Sequence, residues 1–348
     1  MRDGYKGRGA AENPGNRFDQ IDFIPTEEEI TQGLSPKTVF YKDTTKSIIT
    51  YNDSPDVGFN AGINPYRGCE HGCIYCYARP SHEYLGLSLG LDFETKIFVK
   101  KDAPTLLRKE LSAKKYIPET IAISGNTDCY QPAERRFELT RRCLEVLEEF
   151  KNPIGIITKN YLVTRDIDIL CDFAKWNGAL VAVSITTLDP KIKNLMEPRT
   201  SEPRLRLKAI EELSKAGIPV MVMVAPVVPG LTDHELPKII QASADSGAVA
   251  ASYIMLRLPY GVSDLFSKWL HRHFPDRAEK VLNRIKSIRD GDLNSKEFYE
   301  RMKGKGIYAE QVKDMFDVAK KRSGMDKTSI TLSTEYFRKP GGTQLNLL

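Results

Sequence analysis

Short apolar, β-branched runs recur through the middle of the chain, and stretches with helical spacing separate them. The runs are Ile97–Val99, Thr120–Ser124, Ile154–Thr158, Leu180–Ile185, Val220–Ala225 and Ala251–Leu256. Continuous apolar runs of this length suit strands covered on both faces. Between them, Ala103–Ala113 carries Leu106, Leu107 and Leu111 on one helical face. Arg136–Phe150 does the same with Leu139, Cys143, Leu144, Leu147 and Phe150, and Asp166–Trp176 and Leu205–Ala216 follow the same rule. Glycine or proline punctuates several ends, as in Trp176-Asn177-Gly178 and Ala216-Gly217-Ile218-Pro219. Strands alternating with helices predict a parallel sheet. Six such units are too few for a closed eight-fold barrel. The expected fold class is α/β, a partial open (β/α)6 barrel.

The flanks read differently. Residues 1–36 lack periodicity and hold Lys6-Gly7-Arg8-Gly9 and Asn13-Pro14-Gly15-Asn16, the signature of a flexible or surface-hugging arm. The barrel is expected over 37–260, approached by an extended stretch with a strand at Ser47–Tyr51. Residues 261–327 read as a helical C-terminal extension: Leu265–Arg289, then Ser295–Ser323 broken by Gly304 and Gly306. A short strand is expected at Thr328–Leu332 within the tail, 328–348.

The chain has 348 residues, 41% hydrophobic and 28% charged, which supports a full-sized core and excludes a disordered chain. No apolar run is long enough for a membrane span, and Met1–Asn16 has no apolar signal region. A cytoplasmic protein is expected. The net charge of +5 is unevenly placed. Leu265–Asp326 holds 15 Lys or Arg against 10 Asp or Glu, so this segment matches the whole excess. It could meet phosphates, or be the solvated side of ordinary helices.

Six cysteines in a chain this long do not suggest a disulfide scaffold. Three of them fall in Cys69-Glu70-His71-Gly72-Cys73-Ile74-Tyr75-Cys76, a Cys-x3-Cys-x2-Cys spacing with an aromatic before the last cysteine. Three thiolates on one tight loop can hold three corners of a cubane cluster and leave the fourth iron open. A structural zinc site needs four closed ligands. His71 could supply the fourth, but it lies between two cysteines on a cramped loop, and no second Cys-x2-Cys pair exists.

This loop resembles the signature of the radical SAM superfamily. The longer stretch Asn64-Pro65-Tyr66-Arg67-Gly68 through Tyr77-Ala78-Arg79-Pro80 is similar to the branch related to spore photoproduct lyase and to proteins labelled DNA repair photolyases. The resemblance implies a [4Fe-4S] cluster on Cys69, Cys73 and Cys76, with S-adenosylmethionine on the open iron. It also implies reductive cleavage to methionine and a 5′-deoxyadenosyl radical that takes hydrogen from a substrate. By the same resemblance, Thr127 and Asp128 receive the methionine ammonium, and Ser184 contacts the ribose. Lys159 and Arg199 are candidates for the carboxylate. Ala225 and Tyr75 are candidates to flank adenine.

The lyase's hydrogen-donating cysteine lies shortly before its Ser-Asp pair. Here Ser124-Gly125-Asn126-Thr127-Asp128 has none, and Cys129 follows directly. Cys129 and Tyr130 are candidate hydrogen donors; the alternative is buried core. The chain ends in Gln344-Leu345-Asn346-Leu347-Leu348, which resembles the peptide that docks on the bacterial sliding clamp. The expected substrate is a damaged base, a photoproduct, in DNA, and the expected electron donor is a flavodoxin or ferredoxin. The rival readings are radical SAM modification of RNA, protein or a small molecule, and a clamp- or DNA-binding adaptor with a redox-sensing cluster.

Overall fold

The computed structural model describes residues 5–18, 36–326 and 330–340. Its strands are β1 (Val39–Lys42), β2 (Ile49–Tyr51), β3 (Ala61–Ile63), β4 (Tyr66–Arg67), β5 (Lys96–Val99), β6 (Ile121–Ile123), β7 (Ile154–Thr158), β8 (Ala179–Ser184), β9 (Val220–Val227) and β10 (Ala250–Met255). The main sheet runs β10-β9-β8-β7-β6-β3-β2. Every pair in it is parallel except β2 with β3. Six parallel strands and an antiparallel edge make the open α/β barrel that the alternating pattern implied.

One strand of the six differs from expectation. The Ile97–Val99 run lies outside the barrel, in a small sheet of order β1-β5-β4. Its place in the barrel is taken by β3, whose register with β6 is Ala61↔Ile121 and Ile63↔Ile123. Ala61-Gly62-Ile63 is short and centred on glycine, so it carries little strand propensity. Gly62 is nonetheless suited to the place, because a Cβ there would come 3.3 Å from the Ala122 carbonyl oxygen.

Side chains alternate across the sheet with period two. One face, with Ile121, Ile156, Val181, Val222 and Tyr253, is sealed against the helices Ala103–Ser112, Leu139–Glu149, Ile167–Ala174, Pro203–Lys215 and Leu236–Asp245. Ile157, Leu180, Met221, Met223, Ser252 and Ile254 on the opposite face are only half-buried. The concave side is therefore an open lumen.

The helical boundaries show local corrections. The segment expected as one helix over 136–150 breaks at Glu138, which turns left-handed at φ 50° between Glu134–Phe137 and Leu139–Glu149. The 265–289 segment is two helices, Val262–His273 and Pro275–Ser287, because Pro275 cannot continue the first. Gly304 and Gly306, both at positive φ, separate Glu300–Lys303 from Ile307–Arg322 as expected. Residues 330–332 form no strand; Phe337 further on packs on Tyr116 and Phe150. Residues 344–348 lie outside the described residues.

Both flanks close on the cysteine loop. Cys73, Ile74 and Tyr75 share a buried cluster with Val262, Phe266, Leu270, Val281 and Ile285 of the C-terminal helices. At the N-terminus, the backbone N–H groups of Gly9 and Ala10 donate to the Glu94 carboxylate at 3.0 and 2.8 Å. Residues 5–18 thus hug the loop's outer side rather than standing away from it. No helix among the described residues is long and apolar enough to cross a membrane.

His82 lies buried below this loop, edge-on to Phe93, with Nε2 donating to the Lys96 carbonyl at 2.9 Å and Nδ1 unpartnered. Burial lowers its pKa from 6.5 to about 4. Between those values the unfolded chain binds a proton that the folded chain refuses, so stability falls as pH falls. The protein should lose about 3 kcal/mol between pH 6.5 and 4 from this group. Denaturant titrations across that window should show the slope in the wild type and a shallower one in His82→Gln.

Candidate active site

The cysteine loop leaves β4 through Gly68 and turns again at Gly72, both at positive φ. Neither position accepts a side chain: a Cβ on Gly68 would meet the His82 ring at 2.9 Å, and one on Gly72 would meet Glu94 Oε2 at 2.7 Å. The Cys69 N–H donates to the Phe93 carbonyl at 2.9 Å, and the Cys76 N–H to that of Cys73 at 3.2 Å. The loop is clamped by Arg79, which is fully buried. Its guanidinium donates to the carbonyls of Cys73 (2.9 Å), Leu89 (3.1 Å) and Gly90 (2.9 Å) and pairs with Glu94 at 2.6 Å.

Cys69, Cys73 and Cys76 are free thiols on this one loop. Burial pushes all three thiols up from their ordinary pKa, so a bound metal would have to favour the thiolates. Among the described residues no three His, Cys, Asp or Glu side chains are set to hold a single ion, whereas a cubane asks each cysteine for a different iron.

His71 is not available as a fourth ligand. Asn160 Oδ1 accepts from the Leu162 N–H at 3.0 Å, so its amide nitrogen faces His71 Nε2 at 3.2 Å. That ring nitrogen accepts, which puts the ring proton on Nδ1, 3.3 Å from Asp128 Oδ2. With both nitrogens engaged, the loop offers three protein ligands and an open corner. The donor set fits a [4Fe-4S] cluster and does not fit closed zinc.

The strand ends beside the loop gather Tyr75, Lys159, Ser184 and Ala225. Lys159 Nζ donates to Ser184 Oγ at 2.5 Å and to the Ala225 carbonyl at 2.9 Å, and it lies 5.9 Å from the centre of the Tyr75 ring. At the centre of this group is Glu197, which sequence reasoning passed over in favour of its neighbour Arg199. Glu197 is fully buried and accepts hydrogen bonds from Tyr75 Oη, from Thr186 Oγ1 at 2.7 Å and from Arg206. Lys159 Nζ stands 3.7 Å away. Burial alone would raise the Glu197 carboxyl, but Arg206 and Lys159 outweigh it and hold the pKa well below the carboxylate range. The same burial, with Glu197 beside it, pushes the Tyr75 phenol far up, so it stays a neutral donor.

Other expected contacts are already occupied. Asp128 carries four donors on its two oxygens: Thr158 Oγ1 (2.8 Å) and Tyr130 N (2.9 Å) on one, Lys159 N (2.8 Å) and His71 Nδ1 (3.3 Å) on the other. A carboxylate has about four such positions, so Asp128 has no place left for an ammonium. It joins the cysteine loop to the end of β7 instead. Thr127 Oγ1 donates to the Tyr66 carbonyl at 2.9 Å. Arg199 pairs with Glu70 at 3.1 Å, and its N–H donates to the His71 carbonyl at 3.2 Å, so it braces the loop.

Cys129 and Tyr130 do not join the group. Both belong to the core between the sheet and its outer helices, and the Tyr130 hydroxyl is bound to Asp166 at 3.0 Å. Both side chains are fully buried, packed with Cys143, Leu144 and Ile156 rather than gathered with Lys159 and Ser184. The signal that could have found Glu197 and Arg206 was weak. Each is a charged residue in a loop or helix start, and only burial distinguishes it.

Residues 63–242 match the radical SAM superfamily, and the chain belongs to it. Members of that superfamily are enzymes that work with a [4Fe-4S] cluster and S-adenosylmethionine, and these are the cofactors the family assigns to this chain. An uncharacterized protein of Mycobacterium tuberculosis is 38% identical over 224 residues, covering 64% of this chain and 66% of its own length. The match thus spans less than two thirds of that relative. An uncharacterized protein of Methanocaldococcus jannaschii is 28% identical over 222 residues, 64% of this chain and 79% of its own. Among solved structures, a variant of spore photoproduct lyase aligns with a TM-score of 0.61 at 16% identity, over 88% of this chain and 86% of its own. Another variant, with bound AdoMet and dinucleoside spore photoproduct, aligns with a TM-score of 0.60 at 17% identity, over 87% and 85%. These likenesses establish a shared fold.

Removing the shared counter-charge should separate support from binding. Glu197→Gln leaves Arg206 and Lys159 without their partner, and breaking a buried pair costs about 3–5 kcal/mol. Lys159→Met removes a partly exposed ammonium and should cost about 1 kcal/mol or less while weakening S-adenosylmethionine in equilibrium dialysis. Equal stability losses in the two variants would contradict this division.

Proposed function

We propose that this chain is a radical SAM enzyme of lyase type acting on a damaged base, a photoproduct, in DNA. Three loop cysteines, with no fourth protein ligand set beside them among the described residues, are the observation that carries the radical chemistry. The substrate class is supported by the fold shared with a lyase that holds a dinucleoside spore photoproduct, and by the open lumen beside the cysteine loop. The basic balance of residues 265–326 is compatible with a phosphate backbone nearby.

In this reading Cys69, Cys73 and Cys76 hold the cluster. Lys159 orients the carboxylate of S-adenosylmethionine, and Ser184 holds its ribose. Tyr75 and Ala225 flank the adenine. Arg79 and Glu94 keep the loop in place, and the C-terminal helices exclude water from its inner side. Once bound, the cofactors supply a 5′-deoxyadenosyl radical able to take a hydrogen atom from substrate. The protein works in the cytoplasm with a flavodoxin or ferredoxin as reductant. The tail Gln344–Leu348 docks on the bacterial sliding clamp; its deletion should abolish co-elution with the clamp, and unchanged co-elution would remove that partner.

The absence of a lumen-facing cysteine at 124–128 favours a photoproduct other than the spore photoproduct itself. It also leaves room for a second reading, radical modification of RNA, protein or a small molecule. The test is anaerobic incubation of reconstituted protein with dithionite, S-adenosylmethionine and ultraviolet-irradiated DNA, followed by mass spectrometry. Loss of one photoproduct together with formation of 5′-deoxyadenosine is expected. If 5′-deoxyadenosine forms while every photoproduct persists, the second reading stands.

A further inference from the structure

The fully buried arginines of this chain are well partnered. Arg79 has Glu94 and three carbonyls; Arg206 has Glu197, Thr200 and the carbonyls of Ser184 and Ser201. Arg257 is different. It lies two positions past the end of β10, on the same edge of the sheet as Lys159 and Ser184. Its guanidinium is 5.7 Å from the centre of the Tyr77 ring, and Tyr77 directly follows Cys76. Among the described residues it forms no ion pair. The hydrogen bond it makes is from Nη1 to the Met302 sulfur at 3.5 Å, and its Nε is shut away from water with no partner. A thioether is a weak acceptor.

The surroundings do not neutralise it. Asp56 is committed to Arg301, at 2.7 Å from its Nε, and also accepts from the Tyr299 N–H at 3.0 Å. Arg289 is spent on carbonyls, among them those of Leu256 and Arg301, each at 3.0 Å. Arg257, Arg289 and Arg301 thus lie where the C-terminal extension meets the loop between β2 and β3, with Asp56 paired to Arg301 and Glu300 acting on Arg289. Leaving a half-buried charge unpaired is costly unless something else completes it. Tyr77 is half-exposed with its hydroxyl fixed on the Gly125 carbonyl, so its ring stands in the mouth of the lumen beside that charge.

We propose that Arg257 is a substrate-anchoring site that takes an anionic oxygen pair, the phosphodiester of a nucleic-acid substrate, at the mouth of the lumen. The proposal rests on the nucleic-acid reading for the identity of the anion, not for its charge. A planar guanidinium is suited to two phosphate oxygens at once. Lys159, which serves the cofactor, is held on β8 and β9 by Ser184 and Ala225, leaving the β10 edge for substrate.

The test uses the full-length holoenzyme with S-adenosylmethionine present, titrated calorimetrically with three probes. These are a thymidine dinucleotide, its uncharged methylphosphonate analogue and inorganic pyrophosphate. The wild type should prefer the charged dinucleotide by about tenfold or more. Arg257→Met should bring that ratio to about one, and Arg257→Lys, which guards against a folding defect, should keep part of it. A ratio unchanged in Arg257→Met overturns the proposal, as does weakened cofactor binding with undiminished dinucleotide binding. If the wild type binds pyrophosphate and not the dinucleotide, and Arg257→Met loses the pyrophosphate, the anion site stands and the nucleic-acid reading falls. Binding of none of the three probes to the wild type removes the site.

Discussion

The buried pair of Arg79 and Glu94 is the constraint on which the rest of the site depends. Three ligands on an eight-residue loop hold a cluster in one orientation only if the loop cannot rearrange. Arg79 fixes the loop from inside through the Cys73 carbonyl, and Glu94 returns the charge. The remaining lone pairs of Glu94 are taken by the backbone of Gly9 and Ala10. A pair this deep has to be satisfied completely to be tolerated, and the N-terminal segment completes it. This is why Gly9 has no room for a side chain: a Cβ there would lie 1.8 Å from the Gly72 carbonyl oxygen.

The group at the strand ends repeats the same solution with Glu197. One carboxylate serves Arg206 at the back and Lys159 at the front, with Tyr75 and Thr186 filling its lone pairs. Lys159 is therefore presented at the strand ends as a fixed charge rather than a mobile one. Asp128 does comparable work between His71 and the end of β7. Three acidic groups, two of them fully buried and each held by several donors, make the frame rigid, while the lumen residues opposite stay small or flexible and open.

Much of this was legible in the sequence, and the parts that were not share a cause. The alternation of apolar runs and helical stretches announced the sheet, and the cysteine spacing announced the cluster. Lys159, Ser184, Tyr75 and Ala225 do converge. The β3 strand escaped because Ala61-Gly62-Ile63 earns its place by close approach to β6, not by propensity. The Ile97–Val99 run misled because an apolar run does not say which sheet it joins. Glu197 and Arg206 escaped because a saturated buried charge looks, in one dimension, like any surface charge. Asp128 was assigned to the cofactor, since chain order does not show that Thr158, Lys159, Tyr130 and His71 would already occupy it.

Everything in the site turns on whether the loop holds a cluster with one iron open to S-adenosylmethionine. The most direct measurement is pulsed electron–nuclear double resonance on the reduced, reconstituted protein with S-adenosylmethionine carrying 15N in its amino group. A 15N coupling to the cluster signal, absent when unlabelled cofactor is used, is the predicted result. A full cluster signal with no coupling to the label, in protein shown to retain the cofactor, would mean that the fourth iron is closed and would contradict the account.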